Sequence, residues 1–213
     1  MTGREWMIGG RRVARFCSDA AAPVVYVHGS AEGLENCGWT VVSIEGIDWN
    51  SDLTPWPARA VFRGQPDFGG GADAHLRSLT EEIIPAVEAD LRPSSRVIAG
   101  YSLAGLFAVY AALETALFDA AASVSGSMWY PGFVDYVCQK ESGPRCAYFS
   151  VGEREKAGRN RVFHSIEEDT KRVAAGLALR GVRTAFELNP GGHFDDPAGR
   201  MRKAMDWMKN EGL

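Results

Sequence analysis

The chain has 213 residues, enough for one domain with a sizeable hydrophobic core. Hydrophobic residues make up 46% of it and charged residues 23%, as in an ordinary soluble globular protein. A formal net charge of -4 argues against nucleic acid as a partner, because phosphate binding needs a concentrated basic face. No apolar run is long enough to span a bilayer, and residues 1–12 lack the apolar core of a secretory signal. We therefore expect a cytoplasmic protein with no membrane partner.

Strands and helices alternate along the sequence. Apolar runs predict strands at residues 12–16, 24–27, 40–44, 96–99, 121–125, 147–151 and 184–188. Helices are predicted at residues 73–91, 103–117, 160–180 and 197–210. Pro85 should kink the first helix or end its first half, and Gly181 should cap the third. This order predicts an α/β fold, with residues 1–213 as one domain and a mostly parallel central sheet flanked by helices on both faces.

Residues 46–72 form a long segment between elements that contains Trp49, Trp56 and a run of three glycines at residues 69–71. Long loops in compact domains are usually functional or disordered, and the two tryptophans argue against disorder. Two interpretations stay open: the segment is a wall of an active-site cleft, or it is a surface loop anchored by aromatic packing.

Neither a metal site nor a cofactor is predicted, because HExxH motifs and paired Asp/His ligand spacings do not occur in the sequence. The four cysteines also lack zinc or redox spacing, so we expect free thiols, and whether Cys138 and Cys146 pair stays open. A small basic cluster, Arg200 with Arg202 and Lys203, lies on the last predicted helix and is interpreted as a solvated face.

The most informative segment is Gly-Tyr-Ser-Leu-Ala-Gly at residues 100–105, which follows an apolar run and opens an Ala/Leu-rich stretch. A strand, a tight turn with serine at its apex and then a helix form the nucleophile elbow of serine hydrolases. The strained turn needs small residues two positions either side of Ser102, and Gly100 and Ala104 meet this need. The same spacing also occurs at ordinary strand-to-helix turns, so the partners of Ser102 decide between the two interpretations.

A serine nucleophile needs a base, and the chain has four histidines. His75 and His164 lie at the starts of predicted helices, where surface or capping roles are common, and His28 follows the second predicted strand. His193 lies on a Gly-rich loop after the last predicted strand. In α/β hydrolases the chain order is serine, acid and then histidine, so His193 is the predicted base for Ser102.

The acid should follow a strand that lies between Ser102 and His193 in the chain. Glu153 and Glu155 follow the strand at residues 147–151. We favour Glu155, with Glu153 left open. Asp195 and Asp196 are too close to His193 in sequence and are expected to begin the last helix instead.

Two backbone N–H groups should stabilise a developing oxyanion. One is assigned to Leu103, the residue after the nucleophile. The other is assigned to Ser30, on the loop that follows the strand at residues 24–27.

Four segments of the chain resemble the putative-esterase branch of the α/β-hydrolase superfamily, which includes esterase D-like, siderophore and feruloyl esterases. They are residues 100–106, Ser-Gly-Ser-Met-Trp-Tyr at 125–130, Ser-Val-Gly-Glu-Arg-Glu at 150–155 and Gly-His at 192–193. The resemblance covers the chain from Val24 onward. It implies an α/β-hydrolase fold in which Ser102 is the nucleophile, His193 the base and a glutamate after Val151 the acid. It also implies that Trp129 contacts the substrate.

The chain also departs from these families. It is short and is expected to lack a separate lid domain. It has His28-Gly29 where siderophore esterases tend to have Asp-Gly, and no basic cluster suited to an anionic siderophore stands out. The leading hypothesis is a serine hydrolase that cleaves a small-molecule carboxylic ester through an acyl-enzyme. The same machinery supports acyl transfer or thioester cleavage, and the alternative class is a ligand- or partner-binding protein without turnover. The sequence leaves the oligomeric state open.

Overall fold

A computed structural model gives the fold of the protein and describes residues 2–35, 37–157 and 160–213. The strands are β1 Thr2–Ile8, β2 Arg11–Cys17, β3 Val24–His28, β4 Thr40–Glu45, β5 Pro57–Ala58, β6 Phe68–Gly69, β7 Arg96–Tyr101, β8 Ala120–Val124, β9 Cys146–Gly152 and β10 Arg183–Asn189. The helices are α1 Trp49–Asp52, α2 Ala72–Ser78, α3 Ile84–Val87, α4 Leu103–Glu114, α5 Phe133–Gln139, α6 Ile166–Ala178 and α7 Pro197–Asn210. All seven predicted strands are present, and helix occurs in each of the four predicted regions.

Eight strands form one sheet in the order β1-β2-β4-β3-β7-β8-β9-β10. In this sheet order, all neighbouring strands from β4 across to β10 pair in parallel. Strand β2 pairs antiparallel with both β1 and β4. The predicted mostly parallel sheet is confirmed. Strand β1 was not predicted, although Gly9 and Gly10, both at positive φ, form a two-residue connection typical of a hairpin.

The two faces of the sheet are covered in different ways. Because side chains alternate along a strand, Val24 and Tyr26 of β3 join the core beneath α2 to α6, while Val25 and Val27 face the other way. On that second face α7 is the helix that packs on the sheet, and the rest is covered by the segment after β3, through Leu34, Cys37 and Trp39. Helices therefore flank both faces, as predicted.

The first predicted helix, residues 73–91, differs from the structure in its middle and at its end. A π-helical turn, Leu79–Ile83, joins α2 to α3, and Pro85 lies in the first turn of α3. Because proline has no N–H to donate, the widened turn accommodates Pro85 while the chain stays helical through Val87. The prediction that residues 88–91 are helical is wrong.

The remaining helices agree with the predictions in some places and differ from them in others. Gly181, at φ +83°, ends α6 as predicted, with its N–H on Ala178 O and the N–H of Val182 on Leu177 O. The region predicted as helix from residue 160 begins with a 3-10 turn, Arg161–Ser165, and α5 was not predicted. None of the helices described here is long and apolar enough to cross a bilayer.

Candidate active site

Ser102 lies at the turn between β7 and α4, with φ 58° and ψ -122°. A positive φ is strained for a residue with a side chain and recurs at functional sites. A Cβ on Gly100 would lie 2.2 Å from the carbonyl carbon of Ala104, so only glycine fits there. A Cβ on Gly105 would lie 2.9 Å from both Gly100 O and Ser123 Oγ. The expected need for small residues around the turn is met, and Ala104 is accommodated.

Ser102, His193 and Glu155 form a chain of hydrogen-bonding distances. Ser102 Oγ lies 3.1 Å from His193 Nε2, and His193 Nδ1 lies 2.8 Å from Glu155 Oε2. The side chain of Glu155 is 3% exposed and that of His193 is 28% exposed. With a proton on Nδ1, the imidazole can donate to the carboxylate and accept the proton of the hydroxyl.

The carboxylate of Glu155 is buried yet favours its ionised form. Burial raises the pKa of Glu155, but hydrogen bonds from His193 and from the Gly152 N–H outweigh it, so the pKa lies below its usual value. The Gly152 N–H donates to Glu155 Oε1 at 2.7 Å, which leaves Oε2 for His193. A charged acid oriented in this way stabilises a protonated imidazole.

The structure distinguishes among the four acidic candidates. Glu153 is exposed, and its carboxylate accepts a hydrogen bond from the Gly191 N–H at 3.5 Å. Asp195 accepts the Gly192 N–H at 2.7 Å, and Asp196 caps α7. Of the four, Glu155 is the one hydrogen-bonded to His193.

Arg200 corrects the interpretation of the basic cluster as a solvated face. Arg202 and Lys203 are exposed, but Arg200 is 2% exposed, and its Nη1 lies 3.3 Å from Glu155 Oε1. The sequence contained a signal for this placement. Arg200 precedes Ala204 by four residues and Met208 by eight, and both face the core, so it lies on the buried stripe of α7.

A cleft of about 880 Å³ opens beside Ser102. Aromatic side chains make up much of its wall, and among them is the predicted contact Trp129. The lining residues are Trp49, Asn50, Ala60, Val61, Phe62, Gln65, Pro66, Phe68, Tyr101, Ser102, Leu103, Ser127, Trp129, Arg154, Glu155, Phe163, Ile166, His193, Phe194 and Pro197. The cleft is therefore mainly apolar, and its polar lining residues besides the group at Ser102 are Asn50, Gln65 and Arg154.

Both interpretations of residues 46–72 hold in the structure. Trp49, Phe62 and Phe68 line the cleft. Trp56 anchors the segment by packing 5.4 Å from Tyr136, and its indole N–H donates to Pro131 O at 2.9 Å. The segment is a cleft wall held in place by aromatic packing.

The two residues expected to supply oxyanion donors lie in different places. Leu103 lines the cleft and begins α4, where the first N–H groups of a helix have no intrahelical acceptor. Ser30 is exposed and lines a separate groove with Phe16 and Leu34. Gly29, at φ +86°, begins the turn that leads to Ser30. The structure thus brings Leu103, and not Ser30, to the cleft.

The histidines other than His193 are placed differently from one another. His164 is exposed, as expected. His75 is 1% exposed, so its interpretation as a surface or capping residue is wrong. It packs in the core, where its Nε2 lies 2.8 Å from Nε2 of His28.

Within the described ranges, no three His, Cys, Asp or Glu side chains are grouped closely enough to hold a metal ion. All four cysteines are free, including Cys138 and Cys146.

The strand order, the strained serine turn and the Ser–His–Glu arrangement define an enzyme-like site on an α/β-hydrolase fold. A family model described as "Putative esterase" matches residues 25–185, and the chain belongs to this family. The resemblance predicted from the sequence is confirmed, and the family supports an ester-hydrolase activity.

The chain is also similar to individual proteins. The "Uncharacterized protein YbbA" of Bacillus subtilis (strain 168) is 28% identical over an alignment of 148 residues, which covers 66% of this chain and 59% of that protein. The siderophore hydrolase EstA from Aspergillus nidulans has a TM-score of 0.77 at 18% identity, covering 99% of this chain and 95% of its own. The enterobactin esterase FES from Shigella flexneri has a TM-score of 0.74 at 19% identity, covering 100% of this chain and 60% of its own. At such identities the two structures show a shared fold.

Proposed function

We propose that the protein is a serine carboxylesterase that works through an acyl-enzyme. Ser102 Oγ attacks the carbonyl carbon of the ester while His193 Nε2 takes its proton. The tetrahedral intermediate collapses when the alkoxide leaves with that proton, and Ser102 keeps the acyl group. His193 then takes a proton from water, which attacks the acyl carbon; the bond to Ser102 Oγ breaks, His193 returns the proton to Oγ, and the acid is released. Glu155 stabilises the imidazolium in both halves of the reaction. The Leu103 N–H donates a hydrogen bond to the oxyanion of each tetrahedral intermediate.

One observation carries this proposal: a serine hydroxyl on a strained turn lies 3.1 Å from an imidazole nitrogen whose other nitrogen lies 2.8 Å from a buried carboxylate. Two side chains can come within hydrogen-bonding distance by chance. Three side chains linked in the order serine, histidine and carboxylate are harder to explain in this way. The three residues also line the large cleft, where a substrate has room to approach Ser102.

The cleft supports a bulky, uncharged ester as the substrate. Among its described lining residues, Arg154 and Glu155 are the charged side chains. Arg154 is 69% exposed and lies 3.0 Å from Asp195, so its charge is already partnered. An apolar cleft of this size binds ligands by burying apolar surface and gives a polyanion little compensation for lost hydration.

A fluorophosphonate probe tests the proposal, because it reacts with activated serines. We expect the wild-type protein to be labelled and to hydrolyse p-nitrophenyl butyrate, and Ser102→Ala to lose both properties. Ser142→Ala, a change at an exposed serine before β9, is the control and should keep both. Labelling that persists in folded Ser102→Ala contradicts the assignment of Ser102. A folded wild-type protein without labelling or turnover favours ligand binding without catalysis.

A further inference from the structure

We propose that Arg200 is a positioning residue that holds the acid and the base of this site at fixed positions relative to each other. The inference rests on the proposed function, since these positions matter only if Ser102, His193 and Glu155 carry out a reaction. Arg200 lies in the first turn of α7, on the face that packs against the sheet. Its guanidinium reaches groups at the ends of β7, β8, β9 and β10, the strands that carry the site.

The Nη1 atom of Arg200 binds the acid side of the site. It donates to Ser125 Oγ at 2.8 Å, to Glu155 Oε1 at 3.3 Å and to the hydroxyl of Tyr101 at 3.3 Å. Ser125 is held at a positive φ of 47°, which directs the loop after β8 toward the guanidinium. The oxygen of Glu155 that does not face His193 is therefore fixed by a charged donor.

The Nη2 atom of the same guanidinium binds the loop that carries the base. It donates to Pro190 O at 2.9 Å and to Gly192 O at 2.8 Å. The hydroxyl of Tyr101, itself a partner of Nη1, donates to the backbone oxygen of His193. Arg200 thus binds the backbone directly before His193 and, through Tyr101, the backbone of His193 itself.

The backbone around the guanidinium leaves space for it because residue 152 is a glycine. A Cβ on Gly152 would lie 2.9 Å from Arg200 Nη2 and 2.6 Å from Gly191 O, so a larger residue there would displace both. Backbone hydrogen bonds from Glu153 and Arg154 also join the two loops, but they end at residues 189 and 191, before His193. Arg200 adds a direct contact to Glu155 and one to the carbonyl of Gly192, the residue directly before His193.

The chemical consequence follows from the fixed shape of the guanidinium. An arginine presents five N–H donors in a planar fork and stays charged, whereas a lysine is a single rotating ammonium group. The fork can hold Glu155 and the Gly192 carbonyl at once. Without it, the distances from His193 to Ser102 and to Glu155 vary, and fewer molecules are poised for proton transfer.

Substitutions at Arg200 separate its charge from its geometry. We expect Arg200→Met to lower kcat for p-nitrophenyl butyrate by about 10- to 100-fold, with KM changed by less than about threefold. The acid limb of its kcat/KM profile should move to higher pH, because an unneutralised Glu155 favours the imidazolium. Arg200→Lys keeps the charge, so it should keep the acid limb and still lose about tenfold in kcat. Arg202→Met, at an exposed position on the same helix, is the control.

The other ionisable groups placed near His193 are Tyr101, whose ring centre lies 5.4 Å from that of His193, and the Arg154–Asp195 pair on the neighbouring loops. Burial raises the pKa of Tyr101 and Arg200 lowers it, so loss of the guanidinium raises that pKa further and keeps the hydroxyl neutral over the acid limb. A shift of the acid limb in Arg200→Met therefore reports the loss of the guanidinium beside Glu155.

A double mutant tests whether Arg200 acts through Glu155. In a Glu155→Gln background, we expect Arg200→Met to lower kcat by less than about threefold, because coupled residues are not additive. Wild-type kcat in folded Arg200→Met overturns the proposal. So does a loss of activity that only matches the loss of folded protein measured by near-UV circular dichroism, because that shows unfolding. Failure of the proposed function gives a different result, a wild-type protein whose labelling does not depend on Ser102.

Discussion

His28 Nε2 lies 2.8 Å from His75 Nε2, in a contact that joins the end of β3 to α2. The ring of Phe107, from α4, lies 4.9 Å from that of His28 and 5.0 Å from that of His75. One imidazole donates across this contact and the other accepts. Burial lowers the pKa of His28 well below its usual value and that of His75 to about 4.

This pair predicts a loss of stability in mild acid. The unfolded chain protonates both histidines near pH 6.5, whereas the folded protein resists until about pH 4 for His75. The unfolded state therefore binds more protons, and the free energy of unfolding should fall as the pH drops from about 6.5 to about 4. The loss from His75 should be on the order of 3 kcal/mol. Urea denaturation at a series of pH values measures it.

The variant His75→Gln isolates this contribution, because an amide can donate to His28 without titrating. We expect it to flatten the pH dependence between about pH 4 and 6.5, while His164→Gln, at an exposed histidine, should follow the wild type. If His75→Gln keeps the full slope in this range, the buried pair is not its source.

The error over His75 shows where sequence reasoning reached its limit. A histidine at a helix start usually meets solvent, and the sequence pattern does not show that His28, 47 residues earlier, ends a strand beside it. Arg200 was misread for a related reason: charge outweighed its position on the buried stripe of α7. Both residues are buried because of partners that are distant in sequence.

A second prediction concerns the choice between the two glutamates after β9. Glu155→Gln should lower kcat by about 10²- to 10⁴-fold, because an amide in place of the carboxylate loses the charge and favours the wrong imidazole tautomer. Glu153→Gln, two residues earlier and exposed, is the matched control and should change kcat by less than about threefold. Steady-state kinetics on one ester decide between them. A larger loss in Glu153→Gln would reverse the assignment.

The third prediction concerns the packing of the serine turn. Gly100→Ala should destabilise the fold by at least about 4 kcal/mol, because the added Cβ would meet the carbonyl of Ala104 at 2.2 Å and backbone atoms have little freedom to move. Ala104→Gly should cost only about 1 to 2 kcal/mol, since it removes one methyl group and adds a glycine within α4. Chemical denaturation measures both. Equal stability of the two variants would mean that the turn is looser than its geometry indicates.

Much of the fold followed from local sequence patterns. The strands β3, β4 and β7 to β9 are short, largely apolar runs with few alternatives, and the serine turn carries its own small-residue signature. Strand β1 was missed because its polar residues hide the pattern, and the partner that defines it lies across the glycine pair at residues 9 and 10. Ser30 lines a groove apart from the cleft because of the path of its loop, which local patterns do not specify, and its role as an oxyanion donor stays a prediction.

The last prediction concerns the aromatic wall of the cleft. Trp129 lies 5.2 Å from Phe163 and 6.2 Å from Phe68 between ring centres, and all three line the cleft. Trp129→Ala should raise KM for a 2-naphthyl ester about tenfold, equivalent to about 1.4 kcal/mol of lost apolar contact. KM for the corresponding methyl ester should change by less than about threefold, because a small alcohol group has little contact with the wall. Trp207→Ala is the matched control, since Trp207 packs 5.9 Å from Tyr148 on the opposite face of the sheet. An equal rise in KM for both esters in Trp129→Ala, or the same selectivity change in Trp207→Ala, would show general loosening of the fold in place of a substrate contact.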